Sequence, residues 1–329
     1  MTALVDAFSR RIRYLRLSLT DRCDLRCVYC MPEAMQFMPR NELLTLEEIH
    51  DLALGFIARG IEVIRLTGGE PLVRRDAIDL VEWLGRELGA SLKDLTLTTN
   101  GIALPRFAAR LAKAGVRRIN VSLDTLDREA AARIARRDVL PQVIAGIEAA
   151  RAEGIAVRVN AVALQETPPA ELVRLIEWAH ASGSDVALIE VMPLGEVGTE
   201  RADQFSPLGA VRRILAERFT LAPSAHRTAG PARYWDVAET GHRIGFITPL
   251  TDNFCDGCNR VRVSAEGQMH PCLGGSEAVD LRAALRSGRA GALDAAIDAA
   301  MKIKPLRHHF AIERGGAPAL ARTMSVTGG

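Results

Sequence analysis

Short apolar, β-branched runs alternate with longer helical patterns through the first two-thirds of the chain. The runs predict six strands, near residues 14–19, 63–67, 95–99, 119–123, 156–163 and 186–191. Apolar residues at three- and four-residue spacing predict helices between them, at 75–88, 104–114, 140–153 and 169–181. Thr45 and Glu48 form a capping-box pattern that opens a further helix. Gly115, Gly154 and Gly183 follow three of the helices, as glycines that end helices do.

The order of these elements predicts the fold class. Six strand–helix units in a row predict parallel strands joined by right-handed crossovers, hence an α/β protein. Six units are fewer than the eight of a closed barrel, so the first prediction is a partial (β/α)6 TIM-like barrel. A doubly wound sheet is the alternative.

The pattern changes after about residue 220. Residues 222–230 are rich in Pro, Ala and Gly and read as a connector, and short strands are predicted at 234–237, 243–247 and 261–264. We therefore expect two domains, a core domain at 1–221 and a smaller α+β domain at 222–329.

Composition narrows the class of protein. The chain is 48% hydrophobic and 25% charged, which is ordinary for a soluble globular protein. A net charge of +2 does not indicate nucleic-acid or membrane binding. Residues 1–16 lack the apolar core of a signal peptide, and no stretch approaches the roughly 20 apolar residues that span a bilayer. These features predict a cytoplasmic protein.

Six cysteines carry the main chemical signal, and they form two groups of three: Cys23, Cys27, Cys30 and Cys255, Cys258, Cys272. In a reducing compartment this grouping predicts metal ligation rather than disulfides. The first group has C-x3-C-x2-C spacing directly after the first strand. Three thiolates holding a four-iron cluster leave one iron free for another ligand. The second group, C-x2-C-x13-C, fits a second cluster, but a zinc site with His270 as fourth ligand remains an alternative.

Polar residues recur on the predicted strands, and they are Arg65, Thr98, Ser122, Asp124, Arg158, Asn160 and Glu190. Many of them lie near the strands' C-terminal ends, where α/β folds build their sites, so together they predict a polar cavity. Arg260 and Arg262 follow the second cysteine group and share a face in a strand. Two guanidinium groups on one face suit phosphate oxygens.

The first cysteine group resembles the motif of the radical S-adenosylmethionine (SAM) superfamily. Tyr29 is the aromatic residue before the last cysteine, and Gly68-Gly69-Glu70-Pro71 at the end of the second strand matches the superfamily's second motif. The resemblance implies that the two glycines meet the amino group of SAM. It further implies that one electron from the cluster splits SAM to a 5′-deoxyadenosyl radical.

Nearly the full chain resembles the molybdenum cofactor biosynthesis protein A (MoaA) family, the GTP 3′,8-cyclases. The matching segments are 16–23, 64–71, 98–101, 120–124, 192–195, 255–263 and the final Gly328-Gly329. The resemblance implies two [4Fe-4S] clusters, held by the six cysteines, with SAM at the first. It assigns SAM contacts to Tyr29, Gly69, Ser122 and Met192. It assigns GTP contacts to Arg16, Arg65, Thr98, Arg260, Val261 and Arg262, and places the family's fifth-strand lysine at Arg158.

The same resemblance implies the reaction and the partners. The radical takes the ribose 3′ hydrogen of GTP, and C3′ then joins C8 to give 3′,8-cyclo-7,8-dihydroguanosine 5′-triphosphate, an early molybdenum cofactor precursor. No catalytic side chain is expected beyond the clusters and SAM. The expected partners are GTP, an external one-electron reductant, a second copy in a homodimer and the downstream cyclic pyranopterin monophosphate synthase. A two-cluster radical enzyme acting on a peptide or a tRNA, and a zinc-ribbon module that binds nucleic acid, are the alternatives.

Overall fold

A computed structural model describes residues 3–89 and 91–328. One twelve-stranded sheet forms the centre of the described chain. Its strands are β1 (Tyr14–Ser18), β2 (Val63–Thr67), β3 (Asp94–Thr99), β4 (Arg118–Ser122), β5 (Ala156–Val162), β6 (Asp185–Ile189), β7 (Leu221–Pro223), β8 (Arg233–Val237), β9 (Arg243–Ile247), β10 (Arg260–Val263), β11 (Gln268–His270) and β12 (Val279–Asp280).

The helices, in chain order, are α1 (Leu46–Ala58), α2 (Ala77–Gly85), α3 (Leu104–Lys113), α4 (Arg128–Ala135), α5 (Leu140–Ala152), α6 (Pro169–Ala181), α7 (Arg201–Gln204), α8 (Leu208–Leu215), α9 (Leu281–Arg286), α10 (Ala292–Lys302) and α11 (Met324–Thr327). Short 3-10 turns lie at Arg40–Glu42 and Pro71–Val73. No helix in the described ranges is long and apolar enough to cross a membrane.

The order of the first six strands confirms the predicted partial barrel. Strands β1 to β6 lie side by side in chain order, and each pair is parallel. A doubly wound sheet reverses its strand order at a switch point, and this core has no such reversal. Leu15 and Leu17 of β1 are buried in the main apolar core, whereas Tyr14 and Arg16, which alternate with them, border a cavity.

Local signals define the ends of the helices as predicted. The Thr45 hydroxyl accepts the Glu48 backbone N–H at 3.2 Å, and the Glu48 carboxylate accepts the Thr45 N–H at 2.8 Å, which completes the capping box. Gly115, Gly154 and Gly183 have φ of +89°, +74° and +70°, the left-handed conformation that favours glycine after a helix.

The sheet continues at both edges with strands from the C-terminal part of the chain. β10 pairs in parallel with β1, so Arg260 lies opposite Tyr14, and Arg262 opposite Arg16. At the other edge, β9 pairs in parallel with β6. These pairings satisfy the backbone groups of both edge strands of the barrel. They also bring the second cysteine group, which flanks β10, to a pocket that adjoins the pocket of the first.

Candidate active site

The first cysteine loop follows the C-terminal end of β1, and hydrogen bonds from its backbone to other segments hold it in place. The backbone N–H groups of Arg26 and Val28 donate to carbonyls of Ala135 and Ile134, at the end of α4, at 3.1 and 3.0 Å. The buried Arg201 guanidinium donates to the carbonyl of Tyr29 at 2.9 Å. The loop thereby presents its three thiols, Cys23, Cys27 and Cys30, to one pocket.

The glycine segment after β2 lies directly against this loop. Gly69 N–H donates to the carbonyl of Thr20 at 2.7 Å, and Glu70 N–H to the carbonyl of Arg22 at 2.8 Å. A Cβ on Gly69 would overlap the Arg22 carbonyl. Glycine is therefore required here by the close approach of two backbones at the edge of the pocket.

Two buried carboxyl groups stand beside the three thiols. Glu70 accepts hydrogen bonds from the backbone N–H groups of Leu72 and Asn100, yet burial outweighs them and raises the pKa of Glu70 to about 7. Asp124 accepts from the Tyr29 hydroxyl at 2.9 Å, and burial raises the pKa of Asp124 to about 6. No arginine borders this pocket among the described residues. A cationic ligand would stabilise both carboxylates in their charged form.

The structure brings the four predicted SAM contacts together. Tyr29, Gly69, Ser122 and Met192 all border the pocket of the first cysteine group. They come from four different segments of the chain, at the C-terminal ends of β1, β2, β4 and β6. This is the edge of the barrel where the polar residues of the strands were expected to meet.

A second pocket adjoins the first and contains the second cysteine group. The two share four bordering residues: Asn160, Ile189, Met192 and Met324. Cys255, Cys258 and Cys272 border the second pocket, with Cys255 and Cys258 brought together by a turn in which Cys258 N–H donates to the Cys255 carbonyl at 3.0 Å. The two sets of thiols therefore border neighbouring pockets.

Five arginines border the second pocket: Arg16, Arg65, Arg158, Arg260 and Arg262. The other two predicted GTP residues are placed differently. Thr98 borders the first pocket and accepts a hydrogen bond from Arg65 Nη1 at 3.2 Å. The Val261 side chain is buried in the apolar core, so that residue can offer only its main chain to a ligand.

The arginine cluster lacks partners for several of its buried donors. Arg16 Nε and Nη2, Arg260 Nε and Arg262 Nε have no hydrogen-bond acceptor in the described structure. Burial, followed by the charge of Arg262, lowers the pKa of Arg16, and burial with Arg260 lowers the pKa of Arg262 to about 10. Buried, unpaired guanidinium donors of one sign are the expected features of an anion site.

Sequence reasoning missed Tyr14, which forms part of the same cluster. Its hydroxyl accepts a hydrogen bond from Arg65 Nε, and the Arg65 and Arg260 guanidiniums lie 6.0 and 5.6 Å from its ring centre. Burial alone would raise the pKa of Tyr14, but the charges of Arg65, Arg16 and Arg260 outweigh it and lower the pKa to about 8. The alternation of side chains on β1, which also carries Arg16, could have indicated this residue.

The donor sets fit iron–sulfur clusters better than single metal ions. No group of three or more His, Cys, Asp or Glu side chains in the described parts of the chain is arranged to hold one ion. His270, the fourth ligand of the zinc alternative, lies opposite Arg262 on β11 and does not border the pocket of the three thiols. In each site all three thiols border one pocket, as the ligands of a shared multi-iron group must.

The C-terminal tail enters the first pocket. Met324 borders both pockets, and Ser325 N–H donates to the Cys30 thiol. Gly328 has φ of +73° and lies against Thr67, at the end of β2, where a Cβ would overlap the Thr67 side chain. Gly329, the other half of the predicted Gly-Gly tail, lies outside the described residues.

A partial barrel with three thiols after its first strand and a Gly-Gly-Glu turn after its second defines a radical SAM enzyme. Residues 17–195 match the model of the radical SAM superfamily, and residues 184–310 match the model described as Molybdenum Cofactor Synthesis C. The first of these models spans more than half of the chain.

Relatives narrow the class to one family. The chain is 63% identical to a GTP 3′,8-cyclase of Erythrobacter litoralis, over 99% of this chain and 98% of that protein. It is 54% identical to a GTP 3′,8-cyclase of Bradyrhizobium diazoefficiens, over 100% and 96%. The chain therefore belongs to the GTP 3′,8-cyclase family, which confirms the family resemblance and the enzyme class predicted from the sequence. Membership also supports the predicted cofactors, two [4Fe-4S] clusters and SAM.

A solved structure of similar fold is that of Streptococcus suis SuiB bound to S-adenosylmethionine. The TM-score is 0.63 at 15% identity, and the match covers 82% of this chain and 63% of SuiB. At this identity the likeness concerns the fold alone. It agrees with the partial barrel.

Proposed function

We propose that the protein converts GTP to 3′,8-cyclo-7,8-dihydroguanosine 5′-triphosphate, an early step of molybdenum cofactor synthesis. The observation that carries the proposal is the neighbouring placement of two different pockets. One has three thiols and three buried carboxyl groups, and the other has three thiols and five arginines. A SAM site and a nucleoside triphosphate site side by side are what this reaction needs.

In the first pocket, Cys23, Cys27 and Cys30 would hold a four-iron cluster, and the main chain at Gly69 would meet the amino group of SAM. When bound, the cluster and SAM supply a 5′-deoxyadenosyl radical. The Tyr29 hydroxyl donates a hydrogen bond to Asp124, which holds both side chains in place. Tyr29 borders the pocket from the cysteine loop, and Asp124 borders it from the segment after β4. The buried carboxyl groups favour the positive charge that SAM carries.

In the second pocket, the arginines would hold the triphosphate of GTP. Arg16 and Arg262 are opposite one another on paired strands, and both have buried donors without a partner, so phosphate oxygens would complete their hydrogen bonds. Arg158 donates to Asn160 at 3.1 Å and to the Tyr234 hydroxyl at 2.6 Å, which orients its fork toward the same space. Holding the nucleotide in one orientation is the main contribution that the chain itself makes.

The second group of thiols would hold the second cluster beside the arginines, because Cys258 lies two residues before Arg260 at the start of β10. Phe254 and Phe310 border the pocket close to these cysteines and offer apolar surfaces for a purine. We infer that the cluster contacts the guanine base while the arginines contact the phosphates. That arrangement would leave the ribose facing the first pocket through the shared residues Met192 and Met324.

The two binding roles correspond to the two predicted domains. We propose that residues 1–221 bind SAM and that residues 222–329 supply the second cluster, while β1, β2 and β5 add Arg16, Arg65 and Arg158 to the GTP site. A homodimer, an external one-electron reductant and the downstream cyclic pyranopterin monophosphate synthase complete the proposed partners.

Anaerobic incubation with GTP, SAM and dithionite, followed by mass spectrometry, tests the proposal. The expected products are 5′-deoxyadenosine and a nucleotide of the same mass as GTP that elutes separately. Formation of 5′-deoxyadenosine with GTP left unchanged would contradict the proposal and would favour a peptide or tRNA substrate.

A further inference from the structure

Lys304 is a buried lysine at the second cysteine site that the proposed reaction does not use. It follows α10, and only 2% of its surface is exposed. Its ammonium lies 3.4 Å from Cys258 Sγ, 3.1 Å from the Arg260 carbonyl and 2.6 Å from the Pro271 carbonyl. An ammonium has three donors, so these three acceptors account for all of them.

The composition of the chain makes this position unusual. Only four of its 42 basic residues are lysine, and the pocket beside Lys304 is bordered by arginines. An ammonium is a compact charge with three donors, whereas a guanidinium is a wide, planar fork. Three acceptors that converge on one small buried space suit the ammonium.

The charge of Lys304 has one partner able to balance it. Two of its three acceptors are neutral carbonyls, and the third is the Cys258 sulfur. A buried cation is costly unless an anion compensates it, so the arrangement favours Cys258 as a thiolate.

We propose that Lys304 is a positioning residue that donates a charge-assisted hydrogen bond to the Cys258 ligand of the second cluster and raises the reduction potential of that cluster. The inference rests on the proposed function, because it assumes that the second cysteine group holds a cluster. A fixed positive charge on a ligand sulfur stabilises the reduced, more negative cluster. The first site differs in this respect, because Arg201, the buried cation close to Cys30, donates to the Tyr29 carbonyl and not to a cysteine sulfur.

The test compares Lys304→Met, which removes the charge at similar length, with Lys304→Arg, which keeps it. Lys302→Met is the matched control, because Lys302 is exposed at the end of the same helix. Each protein is reconstituted anaerobically without GTP or SAM, its iron is counted, and both clusters are titrated by EPR at controlled potentials. The first cluster serves as an internal reference within every sample.

We expect Lys304→Met to lower the ratio of reduced to oxidised second cluster about tenfold at a fixed potential, which is about 59 mV for a one-electron couple. The first cluster should not change, Lys302→Met should match the wild type, and Lys304→Arg should shift less than Lys304→Met. Loss of the second cluster from Lys304→Met but not from Lys304→Arg would also support the proposal, because charge would then be what holds the ligand.

Two results would overturn the inference. One is an unchanged second-cluster potential in Lys304→Met with full iron content. The other is equal loss of the second cluster from Lys304→Met and Lys304→Arg, which would mean that Lys304 stabilises the fold of this site by its shape and not by its charge. A wild-type protein that binds only one cluster would instead overturn the proposed second cluster itself, so the two failures are distinguishable.

Discussion

The two cysteine sites have the same number of ligands but different electrostatic surroundings. At the first, burial raises the pKa of Cys23 to about 12 and that of Cys30 to about 11, and Glu70 and Asp124 add acidic groups to the pocket. At the second, Lys304 and Arg260 overcome burial and lower the pKa of Cys258.

This difference separates the ligands that the two sites can take. SAM is a cation at its sulfonium and amino groups, and a pocket with buried carboxyl groups favours it. GTP carries a triphosphate, and five arginines, three of which have unsatisfied donors, favour it. Two three-cysteine motifs that look alike in the sequence are thus assigned to different roles by the residues around them.

The largest expected effects come from removing one cysteine ligand from each site, which tests whether the two sites have different roles. Cys27→Ser should abolish SAM cleavage, because the first cluster loses a ligand. Cys272→Ser should keep part of the SAM cleavage but make no cyclised nucleotide. Chromatography of 5′-deoxyadenosine and of nucleotides measures both. Normal nucleotide product from Cys272→Ser would show that the second site does not hold the substrate.

The arginine cluster can be tested by affinity. Arg260→Ala should weaken GTP binding about ten- to hundredfold, because a charge-assisted hydrogen bond contributes about 1.5–3 kcal/mol. SAM affinity should not change, since Arg260 does not border the first pocket. Equilibrium dialysis of both ligands checks this, with the exposed Arg213→Ala as control. Equal weakening of GTP and SAM would mean that Arg260 is structural.

A single methyl group added at Gly328 should displace the C-terminal tail from the first pocket. Gly328→Ala adds a side chain that overlaps Thr67 at a positive φ, a backbone strain of roughly 1–2 kcal/mol. The docked tail should become about tenfold less populated, and product formation should fall with it while both clusters remain. Gly288→Ala is the control, because Gly288 has φ of +62° but open space around it. Equal activity of the two variants would show that the tail is a loose end.

The smallest expected effect is the pH dependence of stability at the first site. Burial raises the pKa of Glu70 from 4.5 to about 7, so the folded protein keeps a proton that the unfolded chain has released. Stability should therefore fall as pH rises, by about 1 kcal/mol between pH 6 and 7. Urea unfolding of the cluster-free protein measures it, and Glu70→Gln should flatten the slope. An identical slope in both proteins would assign the pH dependence to other groups.

Local patterns were enough to predict the six barrel strands, since apolar alternation and helix end signals lie within a few residues. Helix α4 was missed because it is short and has one fully buried residue, Ile134. The pairing of β1 with β10 was not predictable, because it joins segments about 245 residues apart in the chain.

The candidate site was predictable to the extent that its motifs are contiguous. The cysteines, the glycine segment and the arginines of β10 stand in recognisable runs. Tyr14 was predictable from its alternation with the apolar residues of β1, whereas Lys304 was not, because its role comes from contacts made only after folding. Lys304 reaches Cys258 across 46 positions of sequence, and nothing in its own neighbourhood indicates the contact.

The most direct test of the whole account uses GTP labelled with deuterium at C3′, incubated anaerobically with the protein, SAM and dithionite. If the first site supplies the radical and the second site holds GTP with its ribose toward it, deuterium should appear in 5′-deoxyadenosine. The nucleotide product should be one mass unit lighter than the labelled substrate. Unlabelled 5′-deoxyadenosine and unchanged labelled GTP would contradict the assignment of the two pockets.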